Sequence, residues 1–184
     1  MRCFIALEFS DEAMKEFLRT TDILRKADAE IKWLSADTVH LTLKFLGDIP
    51  EEKAPVITAR LRETVRGCRP FTIEFSGIGV FPGWDRPKVL WIGVGKGARE
   101  VVDLASRVDG AMALEGFEQD ERPFSPHITM GRIKGPKNKK KLEGLLKSIH
   151  VEPASSFISR IIVFKSVLTE KGAIHTPLDT VDLS

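Results

Sequence analysis

The chain has 184 residues, and its 28 Lys plus Arg against 26 Asp plus Glu leave a net charge of +2, too balanced to argue nucleic-acid binding from the total. That length suits one domain or two closely packed lobes around a substantial core, and no apolar run approaches a membrane span. Cys3 and Cys68 have no metal-ligand spacing and read as reduced thiols of a cytoplasmic protein; the apolar opening Phe4-Ile5-Ala6-Leu7 meets Glu8, Asp11 and Glu12 too soon for a signal peptide.

Cys3 to Phe9 predicts a strand, and Ser10 with Asp11 and Glu12 predicts an N-cap opening a helix with Met14, Phe17, Leu18 and Thr21 on one face. Ile31–Leu34 and Val39–Leu46 are the next strands. Gly47 and Pro50 stop the second and admit a helix carrying Ala54, Ile57, Leu61 and Val65, which ends at Gly67. Phe71–Phe81 and Lys88–Val94 form a hairpin turning at Pro82-Gly83. A helix with Val101, Ala105, Val108 and Met112 inside ends at Gly116, and a polar loop leads to a strand at His127. A helix near Lys139–Ile149 and two strands, Ser156–Leu168 and Ala173–Leu183, close the chain.

Within that order the run His40-Leu41-Thr42-Leu43 returns as His127-Ile128-Thr129-Met130. Alternate residues of a strand share a face, so each run sets an imidazole beside a hydroxyl and turns its apolar residues to the core. If the two strands adjoin, two histidines and two threonines line one cleft, with the proton carriers and donors that a phosphodiester or cyclic phosphate needs and no metal. The four histidines form no ligand cluster, which ranks metal hydrolase chemistry last. Each motif is trailed by glycine and proline before a helix (Gly47 and Pro50, Gly135 and Pro136), as an internal duplication into two α+β halves would leave them.

Beyond these motifs, Arg2-Cys3-Phe4-Ile5-Ala6, the extension of the first motif through Lys44-Phe45-Leu46-Gly47, Pro126 before the second and Gly131-Arg132 after it, and the closing Ser166-x-Leu168-Thr169-x-x-Gly172-x-x-His175 complete a resemblance over the whole chain. The chain resembles the two-histidine phosphoesterases with paired HxTx motifs, and among them the RNA 2′,3′-cyclic phosphodiesterases once called 2′-5′ RNA ligases. The resemblance implies a single α+β domain over residues 1–184, bilobal, with two pseudo-symmetric lobes, each an antiparallel sheet with helices on its outer face and the active-site cleft between them. It implies hydrolysis of an RNA 2′,3′-cyclic phosphate end to a 2′-phosphate, with reversible ATP-independent 2′-5′ ligation, an RNA partner, and no cofactor, metal or membrane. It makes His40 the proton donor and His127 the proton acceptor; the residues alone leave that order open. One departure is His175, where the family often has Tyr.

Thr42 and Thr129 are expected to donate to the nonbridging phosphate oxygens, with Arg132 adding a charge-assisted bond. Strict alternation puts Arg132 opposite His127 unless Gly131 permits a bulge. Alternation also puts Lys44 on the face of His40 and Thr42, either screening phosphate charge or facing solvent at an edge. His175 is a strand-face residue by default and a substrate contact by the resemblance; His150 is a surface or cap residue. The basic run Lys137, Lys139, Lys140 and Lys141, with Lys134 and Arg132 before it, is either a solvated helix start or a landing for a polynucleotide leaving the cleft. Phe81, Trp84 and Trp91 are expected in packing, with base stacking as the alternative. A monomer is expected. The rival functions are the same chemistry on small cyclic nucleotides or 2′-5′ oligonucleotides, and a module that binds nucleotides or RNA ends without turnover.

Overall fold

The computed structural model describes residues 1–170 and 172–184. In chain order it comprises β1 (Arg2–Leu7), α1 (Asp11–Arg25), β2 (Ile31–Trp33), β3 (Leu41–Asp48), α2 (Lys53–Thr64), β4 (Phe71–Phe81), β5 (Val89–Val94), α3 (Ala98–Leu114), β6 (His127–Ile133), α4 (Lys139–Ser148), β7 (Ser155–Ile158), β8 (Arg160–Thr169) and β9 (Gly172–Asp182). The strands form two antiparallel sheets, ordered β3-β1-β8-β9 and β2-β6-β5-β4-β7. This is the α+β architecture of two sheets that the resemblance implied.

The first helix starts where its cap signal lies. The Ser10 hydroxyl accepts from the Ala13 N–H at 3.3 Å, and Asp11 and Glu12 sit in the first turn, where the helix dipole favours carboxylates. The same serine ties α1 to β7, donating its hydroxyl to the Ser155 carbonyl and its N–H to the Ser156 hydroxyl. Accordingly α1 packs with α4 and β7 on the second sheet, whereas α2 and α3 pack on each other and against β9 and β3 of the first. Each sheet therefore has one helix-covered face and one face left over.

In β1 both faces are buried. Cys3, Ile5 and Leu7 enter the large core that continues through Leu41 and Leu43 to Ile92, Ile128 and Met130 of the second sheet. Phe4 and Ala6 turn the other way and form a small separate cluster with Ile162 and Phe164 of β8. A strand buried on both sides reads as a continuous apolar run rather than an alternation, as this segment does.

The single strand expected over Ser156–Leu168 is two strands in different sheets. β7 pairs with β4, the chain passes Ser159, and β8 then pairs with β1 and β9. Neither glycine nor proline marks the crossing, because both pieces are apolar strands whose inner residues, Ile158 on one side and Ile161 on the other, are buried in one core. With β1, β3, β8 and β9 in one sheet and the intervening strands in the other, the chain weaves the two layers together, and β3 and β6 come into contact where the layers meet.

Candidate active site

His40 stands one residue before β3, after a single turn of 3-10 helix at Ala36–Thr38, so the strand predicted at Val39–Leu46 begins two residues later than expected and leaves His40 just outside it. Its Nδ1 lies 2.7 Å from the Thr38 carbonyl. A carbonyl only accepts, so Nδ1 carries the ring proton and the Nε2 lone pair remains for chemistry. His127, the first residue of β6, repeats the arrangement, with Nδ1 2.8 Å from the Ser125 carbonyl. In both motifs the imidazole is held by the carbonyl two residues earlier, in the same tautomer.

Downstream of each histidine the strand carries the same irregularity. Across β1 and β3, Ala6 pairs with Thr42 and Ile5 with Lys44, leaving Leu43 without a partner. Across β5 and β6, Trp91 pairs with Thr129 and Leu90 with Gly131, leaving Met130 without one. Such a bulge reverses the alternation for everything that follows. Paired residues share a face, so Arg132, opposite Val89, returns to the face of Trp91, Thr129 and His127. The bulge allowed at Gly131 is thus present, and Arg132 joins the second motif.

The same step corrects the placement of Lys44. It turns Lys44 to the helix-covered face of Ile5, where the side chain is 3% exposed; Nζ contacts Asp109 of α3 at 2.5 Å, Asp120 at 3.1 Å and the Glu118 carbonyl at 2.7 Å. Strict alternation failed there because one extra residue in β3 flips the face. Phe45 takes the exposed position instead, 65% accessible and 6.2 Å from the Phe4 ring.

The two imidazoles sit in different surroundings. His40 stacks on Phe4 at 4.6 Å and meets the edge of His175 at 5.2 Å, with Phe164 behind. Burial, and then the neighbouring His175, push its pKa down to about 4, against the pull of the Thr38 bond. His175 is itself lowered by burial, with Asp37 opposing, and its Nδ1 is buried without a partner among the described residues. The structure thus brings His175 to His40. His127 instead meets the Phe81 ring edge-on at 5.0 Å, and Phe81 lies 5.0 Å from Trp91. The Trp91 indole lies across Gly79, where an added Cβ would come within 2.5 Å of the ring. Glycine is required there so that indole, phenyl and imidazole can pack in series. Trp84 packs against the core.

Thr42 and Thr129 are half-buried on the faces of their histidines. One neighbour escaped the sequence reading: Lys32 of β2 pairs with Arg132, so two exposed cations stand side by side, with no carboxylate within salt-bridge distance among the described residues. That pairing is set by the register of β2 on β6, strands far apart in the chain, which no residue type announces. His150 is 78% exposed, a surface residue as expected. Lys137 is paired with Asp28 at 2.9 Å, and Lys140 and Lys141 are exposed. Among the described residues no group of three His, Cys, Asp or Glu could hold a metal ion, and no helix is long and apolar enough to cross a membrane.

Comparison with known proteins gives concordant matches. The chain is 36% identical over 180 residues to the RNA 2′,3′-cyclic phosphodiesterase of Methanothermobacter thermautotrophicus, covering 97% of both chains. It is also 36% identical over 182 residues to the protein of that name from Aquifex aeolicus, covering 97% of this chain and 95% of that one. In three dimensions it resembles TT0787 of Thermus thermophilus (TM-score 0.82, 25% identity, 100% of this chain and 98% of that one). Escherichia coli LigT, crystallised with 3′-AMP, shares the fold (TM-score 0.78, 23% identity, 100% and 98%). The profile of the 2′-5′ RNA ligase superfamily matches residues 13–166, and the chain belongs to that superfamily.

Proposed function

We propose that this protein hydrolyses RNA 2′,3′-cyclic phosphate ends to 2′-phosphomonoesters, as the names of its 36% identical relatives suggest, with 2′-5′ joining when an RNA 5′-hydroxyl attacks the cyclic phosphate in place of water. The observation that carries the reading is the pair of imidazoles held in one tautomer by matching carbonyl bonds, each followed by a threonine on its own face.

In this reading water attacks phosphorus while the P–O3′ bond breaks in line on the far side. His127 Nε2 takes the proton from water, and His40 Nε2–H gives one to O3′ as it leaves. The products are a 2′-phosphate and a free 3′-hydroxyl, and proton exchange with solvent restores both rings. Thr42 and Thr129 donate to the nonbridging oxygens, and Arg132, reinforced by Lys32, meets the charge that develops there. Burial keeps His40 neutral in the free protein, so its donor role rests on the substrate: a cyclic phosphate anion beside the ring favours the imidazolium. His175 lies against His40 on the substrate side and stands as a contact to the terminal nucleotide. The shared bulge one residue after each threonine fits duplication of an ancestral strand and helix within one domain over residues 1–184. The two cysteines are unpaired, which suits a reducing cytoplasm.

The test is hydrolysis of a short RNA with a 2′,3′-cyclic phosphate end in excess chelator, comparing the wild type with His40→Ala and His127→Ala. A 2′-phosphate made by the wild type and lost in both variants supports the mechanism. A 3′-phosphate would mean O2′ leaves instead, and activity abolished by chelator would return the problem to metal chemistry.

A further inference from the structure

Beyond the two motifs, a concavity of about 370 Å³ opens where β6 runs out and α4 begins. Its walls include Arg86 and Lys88 from the β4–β5 turn and Lys134, Lys137 and Lys139 from the β6–α4 segment, with Asp85 the one acidic residue lining it among the described residues. Lys137 is paired with Asp28; Arg86, Lys88, Lys134 and Lys139 make no ion pair among the described residues. Ala29, Pro87, Ile133 and Leu142 supply an apolar floor. Four cations without an ion-pair partner outnumber Asp85 on the wall and Glu30 beside Gly135, so the cavity is net positive and favours an anion.

The cavity's place relative to the motif gives the anion a source. β6 runs from His127 to Ile133, seven residues whose six steps span about 20 Å, which matches about six stacking steps of a nucleotide strand at roughly 3.4 Å each. His127 and Thr129 lie at the start of that path and Arg132 follows on the same face; Ile133 turns to the opposite face with Leu142 of α4, so the path meets the cavity at the strand's end, where Lys134 stands on its wall. We propose that this cavity is a second subsite, which holds backbone phosphates of the RNA strand several nucleotides upstream of its cyclic end. The inference rests on the phosphodiesterase reading above and adds to it a recognition of chain length.

The experiment compares kcat/KM for a cyclic mononucleotide with that for RNAs of two to twelve nucleotides carrying the same cyclic end. It uses the wild type, Arg86→Glu with Lys134→Glu, and a control of equal charge change off the cavity, Lys15→Glu with Arg99→Glu. The expected result is a rise in wild-type kcat/KM beyond about six nucleotides, lost in the cavity variant alone, while turnover of the mononucleotide is unchanged. The slope of log kcat/KM against log salt for the longest RNA should fall by about 1.4 as two phosphate contacts go. A flat length profile in the wild type, or a gain that survives in the cavity variant or vanishes equally in the control, overturns the subsite. Wild type that turns over neither substrate overturns the phosphodiesterase reading instead. Should the charge reversal unfold the chain, Arg86→Gln with Lys134→Gln carries the same comparison, read against its mononucleotide turnover.

Discussion

The two motif strands share one backbone device and load it differently. In β3 and in β6 a residue after the threonine is bulged, so the next residue turns inward and the one after it outward. On β6 the inward residue is Gly131, where any Cβ would press on Ile31 and Trp33, and the outward one is Arg132 beside Lys32. On β3 the inward residue is Lys44, drawn to Asp109, and the outward one is Phe45. Just past its motif β6 thus presents cations, whereas β3 presents an exposed aromatic ring, Phe45, near a dehydrated imidazole. Matching sequence motifs need not mean matching surroundings: the residues just past the motif differ in charge and exposure.

The largest expected effect comes from breaking either half outright. His40→Ala and His127→Ala should each lower kcat about a thousandfold, within the range for a lost general acid or base, measured on RNA with a cyclic phosphate end. Equal residual activity in both would fit a pair acting as a unit. Next comes the outward position: Arg132→Phe copies the first strand onto the second and should lower kcat about a hundredfold, whereas Phe45→Ala should change it less than about threefold. Comparable losses at the two positions would remove the division between a charged and an aromatic side.

The inward position separates fold from chemistry. Lys44→Met strands Asp109 and Asp120 and should lower stability by about 2 kcal/mol, with activity per folded molecule kept, as thermal melts and active-site titration would show. Burial disfavours the Lys44 ammonium, but its carboxylate partners outweigh that and raise its pKa. Its stabilisation is therefore complete below the ordinary value of 10.5 and is lost only as pH rises through the higher folded value. Melts that instead lose the contribution near neutral pH would contradict the ion pair.

The sequence made most of this legible, and its failures have one cause. Caps, glycine stops and apolar periodicity located the helices, because those signals are local: Ser10 at α1 and Gly116 after α3 act within a turn of themselves. The histidines and threonines were legible because two copies of one pattern stand out. Lys44 went to the wrong face, Lys32 was missed and the crossing at Ser159 was invisible, since each depends on which strands pair and where a register slips. Registers are set by neighbours distant in the chain, and no single residue type declares them.

The smallest effect sharpens the difference between the two imidazoles. Burial, then His175, hold His40 near 4, so replacing His175 with Phe keeps the ring packing of Phe4 and Phe164 while removing a neighbour that takes up a proton. The His40 pKa should rise by less than about one unit, read from its imidazole resonance, because the burial contribution stays. Stability follows with a definite sign. His40 is neutral in the folded chain between about 4 and 6.5 while the unfolded chain protonates, so stability falls as pH drops from 6.5 and levels off below about 4. His175→Phe should narrow that window from its acid end. If bound phosphate charges His40, the titration that ends its donor role should lie at higher pH in kcat, which reports the complex, than in kcat/KM, which reports the free protein. Coincident limbs would mean that His40 works neutral, as the base, and would exchange the roles of the two strands.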